Sequence, residues 1–154
     1  MGSFGGLKNA PDFANDHGKT GMAGAFNDIG IVDNSFVKTV KIHVKGSSLA
    51  NSTENEVCEP FTHPVLVLRA WVDVLTAEVT GATKTVGFGT KNTTDGGDVD
   101  GFIAAASVAA TGPVLGAGAL INTIVPKDDH LVVGIPNAFT EFVGDIYFQY
   151  IDLA

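Results

Sequence analysis

The acidic run between residues 95 and 100 is the part of the sequence whose residue types could do chemistry. Three carboxylates, Asp95, Asp98 and Asp100, fall within six residues, and hard oxygen ligands at short spacing suit a calcium ion. The spacing is not that of an EF-hand loop, however, and the distal Glu is missing. Since Asp and Gly are also the residues that tight turns use, we expect a plain loop here and keep a calcium site as the alternative.

The histidines and the single cysteine, Cys58, are the next candidates for chemistry. None of the histidines lies at a His-x-His or His-x-x-x-His spacing; they are His17, His43, His63 and His130. Cys58 and His63 are near each other in sequence, but nothing points to the third group that orients a Cys–His nucleophile. We therefore expect neither a zinc site nor a cysteine nucleophile, and we predict that Cys58 is a small buried or half-buried apolar residue.

A cluster of glutamates surrounds the cysteine, at Glu54, Glu56 and Glu59. Paired carboxylates could indicate glycoside hydrolysis, but a solvated loop is the expected role of such a run. An earlier strand carries cations that could pair with this loop on a neighbouring copy; they are Lys38, Lys41 and Lys45.

Sequence motifs of catalysis and cofactor binding are absent. The chain contains no Gly-x-Ser-x-Gly elbow, phosphate loop or dinucleotide fingerprint, and Gly87-Phe-Gly89 leads into Thr-Lys-Asn rather than a helix start. We therefore expect a protein that is not an enzyme and that has no catalytic residues, metal or cofactor.

Composition limits the partners. The net charge of −8 repels phosphate backbones, so we expect no nucleic-acid partner. One cysteine excludes an intramolecular disulfide framework and fits synthesis in a reducing compartment. No apolar run resembles a signal peptide or a membrane span, so we expect synthesis in the cytosol and no membrane partner.

Most of the remaining sequence has the two-residue period of β-strands. Residues 36–45 place Phe36, Val40, Ile42 and Val44 on one face, with Lys38 as the exception, and a mainly cationic set on the other. Residues 65–79 are the strongest strand, and their uniformly apolar face is predicted to point to the core; it consists of Leu66, Leu68, Ala70, Val72 and Val74.

The second half is also predicted to be mainly strands. Residues 83–90 form a short strand, and residues 140–153 form the last one, with Phe142, Ile146, Phe148 and Tyr150 on one side. Residues 118–126 and 131–135 are predicted to form a hairpin around residues 127–129. Alanine favours a short helix within residues 99–110, with a small-residue strand as the alternative.

These elements predict an all-β fold. Several short strands with regular turn signals indicate an antiparallel β-sandwich, jelly-roll-like or Ig-like in topology. We expect the jelly-roll-like form, in a sandwich domain that covers residues 34–154.

The sandwich is preceded by an aperiodic, glycine-rich segment. We expect residues 1–33 to form an extended N-terminal arm that could reach roughly 100 Å when fully extended. Isolated apolar side chains would anchor it on a partner; the predicted interface residues are Phe4, Leu7, Phe13 and Phe26.

Trp71 is the predicted centre of a second interface. If the alternating face that includes Val72 points to the core, Trp71 points outward, flanked by Arg69 and Asp73. An exposed Trp beside an Arg has the composition of an interface hot spot. We predict that Arg69, Trp71 and Asp73 contact another copy; the alternative is that another part of the same chain covers Trp71.

A family resemblance adds to this interpretation. Residues 76–90 (Thr-Ala-Glu-Val-Thr-Gly-Ala-Thr-Lys-Thr-Val-Gly-Phe-Gly-Thr) and 97–112 (Gly-Asp-Val-Asp-Gly-Phe-Ile-Ala-Ala-Ala-Ser-Val-Ala-Ala-Thr-Gly) resemble small virion proteins of tailed bacteriophages, the capsid decoration or cement class. The resemblance covers roughly residues 65–125. It implies a β-sandwich or jelly-roll module, often a homotrimer, that sits on the exterior of an icosahedral capsid and bridges neighbouring capsomers.

Together these observations predict a structural virion protein. Its expected partners are the major capsid protein and other copies of itself, as a homotrimer. The alternative is a carbohydrate-binding module of a fibre or tail, in which residues 91–98 would contact sugar and Trp71 would be the stacking platform.

Overall fold

The computed structural model describes residues 29–34, 36–51, 54–57, 61–92 and 97–154. The described chain consists of short strands and a single 3₁₀ turn at Gly46–Ser48. The strands are β1 (Ile29–Asn34), β2 (Lys38–Lys45), β3 (Asn55–Glu56), β4 (Val65–Thr76), β5 (Thr85–Lys91), β6 (Ile103–Ser107), β7 (Gly112–Leu115), β8 (Ile124–Val125), β9 (His130–Gly134) and β10 (Val143–Asp152).

The strands form two antiparallel sheets. The large sheet has six strands in the order β1-β2-β10-β4-β7, with β8 also paired to β4, and the small sheet has the order β3-β9-β5-β6. One apolar core joins them, since the Phe148 ring from β10 lies 5.8 Å from Phe88 of β5 and 4.9 Å from Phe102. The predicted all-β sandwich is confirmed, and its jelly-roll topology stays a prediction.

Two of the predicted strand faces are also confirmed. Val40, Ile42 and Val44 are fully buried on β2, whereas the prediction was wrong for Phe36, which precedes the strand and is exposed. On β10 the buried set is Ile146, Phe148 and Tyr150, and Phe142 just before it is buried as well.

The face of β4 departs from the prediction. Val65 and Val67 are buried, whereas Leu66 and Leu68 are only half-buried; beyond them, Ala70 and Val72 are buried. The register with β10 shifts between the pairs Gln149–Arg69 and Tyr150–Val67, so Leu68 sits in a β-bulge. A bulge adds one residue to one strand and reverses the in–out alternation beyond it. The predicted core face was therefore wrong for Leu66 and Leu68.

Residues 99–110 do not form the favoured helix. Ile103–Ser107 forms β6, which pairs with β5, and it buries Ile103 and Ala106 in the core. Ala105 has φ of 52°, outside the right-handed helical region. Pairing with β5 therefore overrides the helix propensity of alanine.

The predicted hairpin around residues 127–129 was also wrong. Ile124–Val125 pairs with β4 in the large sheet, while His130–Gly134 pairs with β3 and β5 in the small sheet. The turn therefore passes the chain from one sheet to the other.

Strand β7 was not predicted, because it contains Gly112 and Pro113. Pro113 is tolerated there since β7 lies at the edge of the large sheet.

The predicted N-terminal arm lies mostly outside the described residues, which begin at Ile29. Its last part does not match the prediction, because Ile29–Asn34 forms β1 and pairs with β2. The large sheet therefore begins inside the segment predicted as arm, which extended to residue 33.

A buried carboxylate, Glu78, fastens the end of β4 to the start of β10. Its Oε2 accepts hydrogen bonds of 3.0 Å from the backbone N–H groups of Thr140, Glu141 and Phe142. Its Oε1 accepts from the N–H and hydroxyl of Thr80. Burial alone raises the pKa of Glu78, but these hydrogen bonds outweigh it and lower the pKa from 4.5 to about 2.

We expect Glu78→Gln to lower the free energy of unfolding by about 2–3 kcal/mol at pH 7, because the amide cannot accept all of these bonds. A group whose pKa is lowered by folding stabilises the protein above its unfolded pKa, and the contribution is lost as pH falls from about 4.5 toward 2. Urea unfolding across this range measures the effect. Exposed Glu141→Gln is the matched control, and equal behaviour of the two variants would contradict the role of Glu78.

Candidate protein-interaction surface

The outer face of the large sheet carries a row of large side chains at right angles to the strands. Leu115 of β7 lies opposite Trp71 of β4, which lies opposite Tyr147 of β10, which lies opposite Lys41 of β2. The neighbours of these residues along β4 and β10 are buried in the core, so strand alternation directs the row away from it.

Aromatic stacking organises the centre of this row. The Trp71 and Tyr147 rings are parallel to within 8°, with centroids 4.9 Å apart. The Arg69 guanidinium lies 5.3 Å from the centroid of Trp71, and Leu115 on the other side is 76% exposed. Such a stacked pair contributes about 0.5–1.5 kcal/mol beyond its buried area, so the rings hold each other in place at the surface.

Next along β4, Arg69 is held by a polar chain. Its Nε donates to Oε1 of Gln149 at 2.5 Å, and Nε2 of Gln149 donates to the Thr39 hydroxyl at 2.9 Å. Both partners are neutral, so the guanidinium is oriented while its charge stays uncompensated within the described residues.

On the other side of Trp71, two aspartates face each other. Asp145 of β10 is buried, lies 2.7 Å from Nδ1 of His43 and is 3.3 Å from Nζ of Lys41. Asp73 of β4 is directly opposite Asp145. Within the described ranges the Asp73 side chain makes neither a hydrogen bond nor an ion pair.

The bulge extends the apolar surface along β4. Leu66 lies between Ile151 of β10 and Ile124 of β8, and Ile124 is 62% exposed. The outer face of the large sheet therefore has a second apolar row beyond Arg69. Isolated exposed apolar residues are ordinary on a monomer, whereas large apolar patches with a polar rim are typical of interaction sites.

We name the cluster of Arg69, Trp71, Asp73, Leu115 and Tyr147 the outer patch. The structure brings three of the predicted interface residues together there: Arg69, Trp71 and Asp73. Leu115 was not predicted, because Gly112 and Pro113 at the start of β7 are not typical of a strand. Tyr147 was not connected with Trp71, because the pattern of one strand does not give its register against another. The other predicted interface residues, Phe4, Leu7, Phe13 and Phe26, lie outside the described residues.

The lysines that were predicted to pair with a neighbouring copy are largely engaged within the chain. Lys38 lies 3.4 Å from Asp152, and Lys41 contacts Asp145. On the small sheet, Lys91 lies 2.8 Å from Glu54. Two of the three predicted lysines, and the loop carboxylates Glu54 and Glu56, therefore have partners in their own subunit.

The predicted acidic loop is only partly described, since Asp95 lies outside the described residues. Asp98 lines an open cavity of about 300 Å³ with Thr90, Leu120 and Asp129. Burial raises the pKa of Asp98, and a hydrogen bond with the Asp100 side chain raises it further. Among the described residues, no group of three or more His, Cys, Asp or Glu side chains could hold a metal ion.

We expect calorimetric titration with calcium to show no binding heat, because no group of three or more candidate ligands lies together among the described residues. Asp98→Asn is the control variant, and it should give the same trace as the wild type. Saturable heat in the wild type that this variant abolishes would establish the calcium alternative.

In the described part of the chain, no helix is long and apolar enough to cross a membrane. No family model matches the sequence, and no curated protein matches it. A search of solved structures finds a chain of the "Cyanophage Pam1 capsid asymmetric unit", with 14% identity and a TM-score of 0.48, covering 75% of this chain and 82% of that chain. A likeness this distant assigns no function, which has to be argued from the surface of this chain.

Proposed function

We propose that this protein is a structural assembly subunit, and specifically a capsid decoration protein of a tailed phage. The observation that carries the proposal is the outer patch: a stacked Trp–Tyr pair, an oriented Arg and an exposed Leu on one rigid sheet. Trp, Tyr and Arg are the residues most enriched in binding hot spots. The resemblance of residues 65–125 to virion cement proteins supports the more specific form.

The patch is already arranged for binding. Its side chains stand on strands rather than loops, and stacking and hydrogen bonds hold Trp71 and Arg69 in single orientations. Ordering a flexible side chain at an interface costs about 0.5–1.5 kcal/mol. Since that ordering has largely occurred within the subunit, more of the contact energy remains for affinity.

The remaining chain supports a role in holding neighbours together. In the proposal, the residues before β1, 1–28, reach adjacent capsomers while the sandwich holds its copies in place. Several weak contacts on one particle reinforce each other through effective concentration. The acidic charge of −8 keeps the free subunit soluble before it docks. The homotrimer implied by the resemblance stays a prediction.

A non-enzymatic role is part of the proposal. The buried carboxylates have structural partners: Glu78 binds the backbone of residues 140–142, and Asp145 binds His43 and Lys41. The carbohydrate-binding alternative has less support, because Tyr147 already occupies one face of the Trp71 ring that a sugar would stack on.

We expect Trp71→Ala to weaken self-association about tenfold or more, because truncating a central interface Trp typically costs 2 kcal/mol or more. Light scattering after size-exclusion chromatography over a range of concentrations measures it. Phe36→Ala is the matched control, since Phe36 is 78% exposed and lies outside the outer patch. Unchanged stoichiometry in Trp71→Ala would count against an interface at the patch.

The assignment to a capsid is tested by sedimentation with virions. We expect the protein to co-sediment with purified virions and, when stripped from them, to leave a closed shell that is less resistant to heat. A protein that stays in the supernatant, or whose removal opens the shell into free capsomers, would contradict the decoration role.

A further inference from the structure

The charges of the outer patch are placed symmetrically about Trp71. Arg69 and Asp73 lie two residues before and after it on the same face of β4, beyond the bulge, where the alternation is regular. At 3.3–3.4 Å per residue, each is about 7 Å from Trp71 along the strand. The strand therefore presents a cation, an aromatic ring and an anion at equal spacing.

We propose that two copies of this chain pack outer face to outer face about a two-fold axis that crosses β4 at Trp71, with Arg69 of each copy on Asp73 of the other. The charge pattern selects this axis. Rotation about a line across the strands reverses β4, so that each Arg69 meets an Asp73. Rotation about a line along β4 would place Arg69 on Arg69 and Asp73 on Asp73.

Among the residues that the structure describes, neither charge has an ionic partner, and the second copy would supply one to each. Arg69 bonds only to the neutral Gln149 and contacts Trp71 among the described residues. Asp73 lies directly opposite Asp145, and like charges opposite each other on a sheet are unfavourable. His43 of the same row and Lys41 of the next row both contact Asp145 rather than Asp73. A guanidinium from the partner would relieve the repulsion at Asp73 and gain a salt bridge.

The row on the axis is suited to self-contact. Each residue on the axis would contact the same residue of the second copy; these residues are Leu115, Trp71 and Tyr147. Apolar and aromatic side chains can do so without electrostatic cost. Lys41 ends this row and is charge-paired with Asp145 of its own chain. The acidic row of Asp73 and Asp145 would cover the row of Arg69 and Gln149 of the other copy.

The face is large enough for a specific contact. Four strands at about 4.8 Å spacing and about 30 Å in length offer roughly 600 Å² per copy, or roughly 1,200 Å² in total. This is the lower end of the range for specific interfaces. The inference does not depend on the proposed function, and it predicts an even-numbered assembly rather than the trimer that the resemblance implies.

Complementary charge reversals test the contact in the purified full-length chain. The proposed dimer has two contacts between positions 69 and 73. In a dimer of Arg69→Asp, both contacts bring two carboxylates together. In a dimer of Asp73→Arg, both contacts bring two guanidinium groups together. We expect each variant alone to lose at least tenfold in the association constant. A 1:1 mixture of the two should form a heterodimer, because both of its contacts then join opposite charges.

Native mass spectrometry of the mixture, with one variant isotope-labelled, identifies the product. A wild-type dimer, two weakened variants and a restored mixed dimer are the expected results. A wild-type monomer or trimer, variants that assemble like the wild type, or a mixture that stays monomeric would overturn the proposal.

Two controls separate this contact from general effects of charge and from misfolding. Lys127→Asp changes an exposed cation on a turn and should leave association unchanged. The double variant Arg69→Asp/Asp73→Arg keeps the net charge and should associate like the wild type.

If either single variant fails to fold, Arg69→Gln and Asp73→Asn replace the pair. Each of these variants should weaken association, and unchanged association would overturn the proposal. Virion sedimentation tests the proposed function separately.

Discussion

The antiparallel pairing of β4 with β10, and the bulge within it, determines what this protein presents to its surroundings. The two strands pair from Val65 to Thr76 and contribute most of the large sheet's core. The bulge at Leu68 shifts the alternation by one residue. Leu66 and Ala70, which are four residues apart, therefore lie on opposite faces of the sheet. As a result, one strand supplies both buried valines and the apolar part of an exposed contact surface.

How far the sequence predicts the structure depends on whether local pattern or tertiary pairing decides an element. Regular alternation predicted the buried faces of β2 and β10, and the direction of Trp71. It failed at Leu66 and Leu68, because a bulge has no signature in the alternation of one strand. It failed at residues 103–107, because pairing with β5 overrides alanine's preference for helix. Glu78 was missed because its partners, residues 140–142, are distant in sequence.

The residues of the outer patch also divide into those that local pattern predicts and those that only strand pairing reveals. Residue type and the alternation of side chains along one strand were sufficient to identify Arg69, Trp71 and Asp73, since all three lie on β4. Tyr147 and Leu115 could not be added without the registers of β10 and β7 against β4. The absence of an ionic partner for Asp73 among the described residues is also a property of the register, because its neighbour across the strands is another aspartate.

In the proposed function, another molecule covers the outer face of the large sheet. Trp71 is the single tryptophan of the chain, so intrinsic fluorescence reports on this face alone. The most direct measurement is acrylamide quenching of that fluorescence over a wide range of protein concentration. If the face becomes covered, the quenching constant falls as the protein assembles and the emission shifts to the blue. A quenching constant that is unchanged from the most dilute to the most concentrated sample would contradict the proposal.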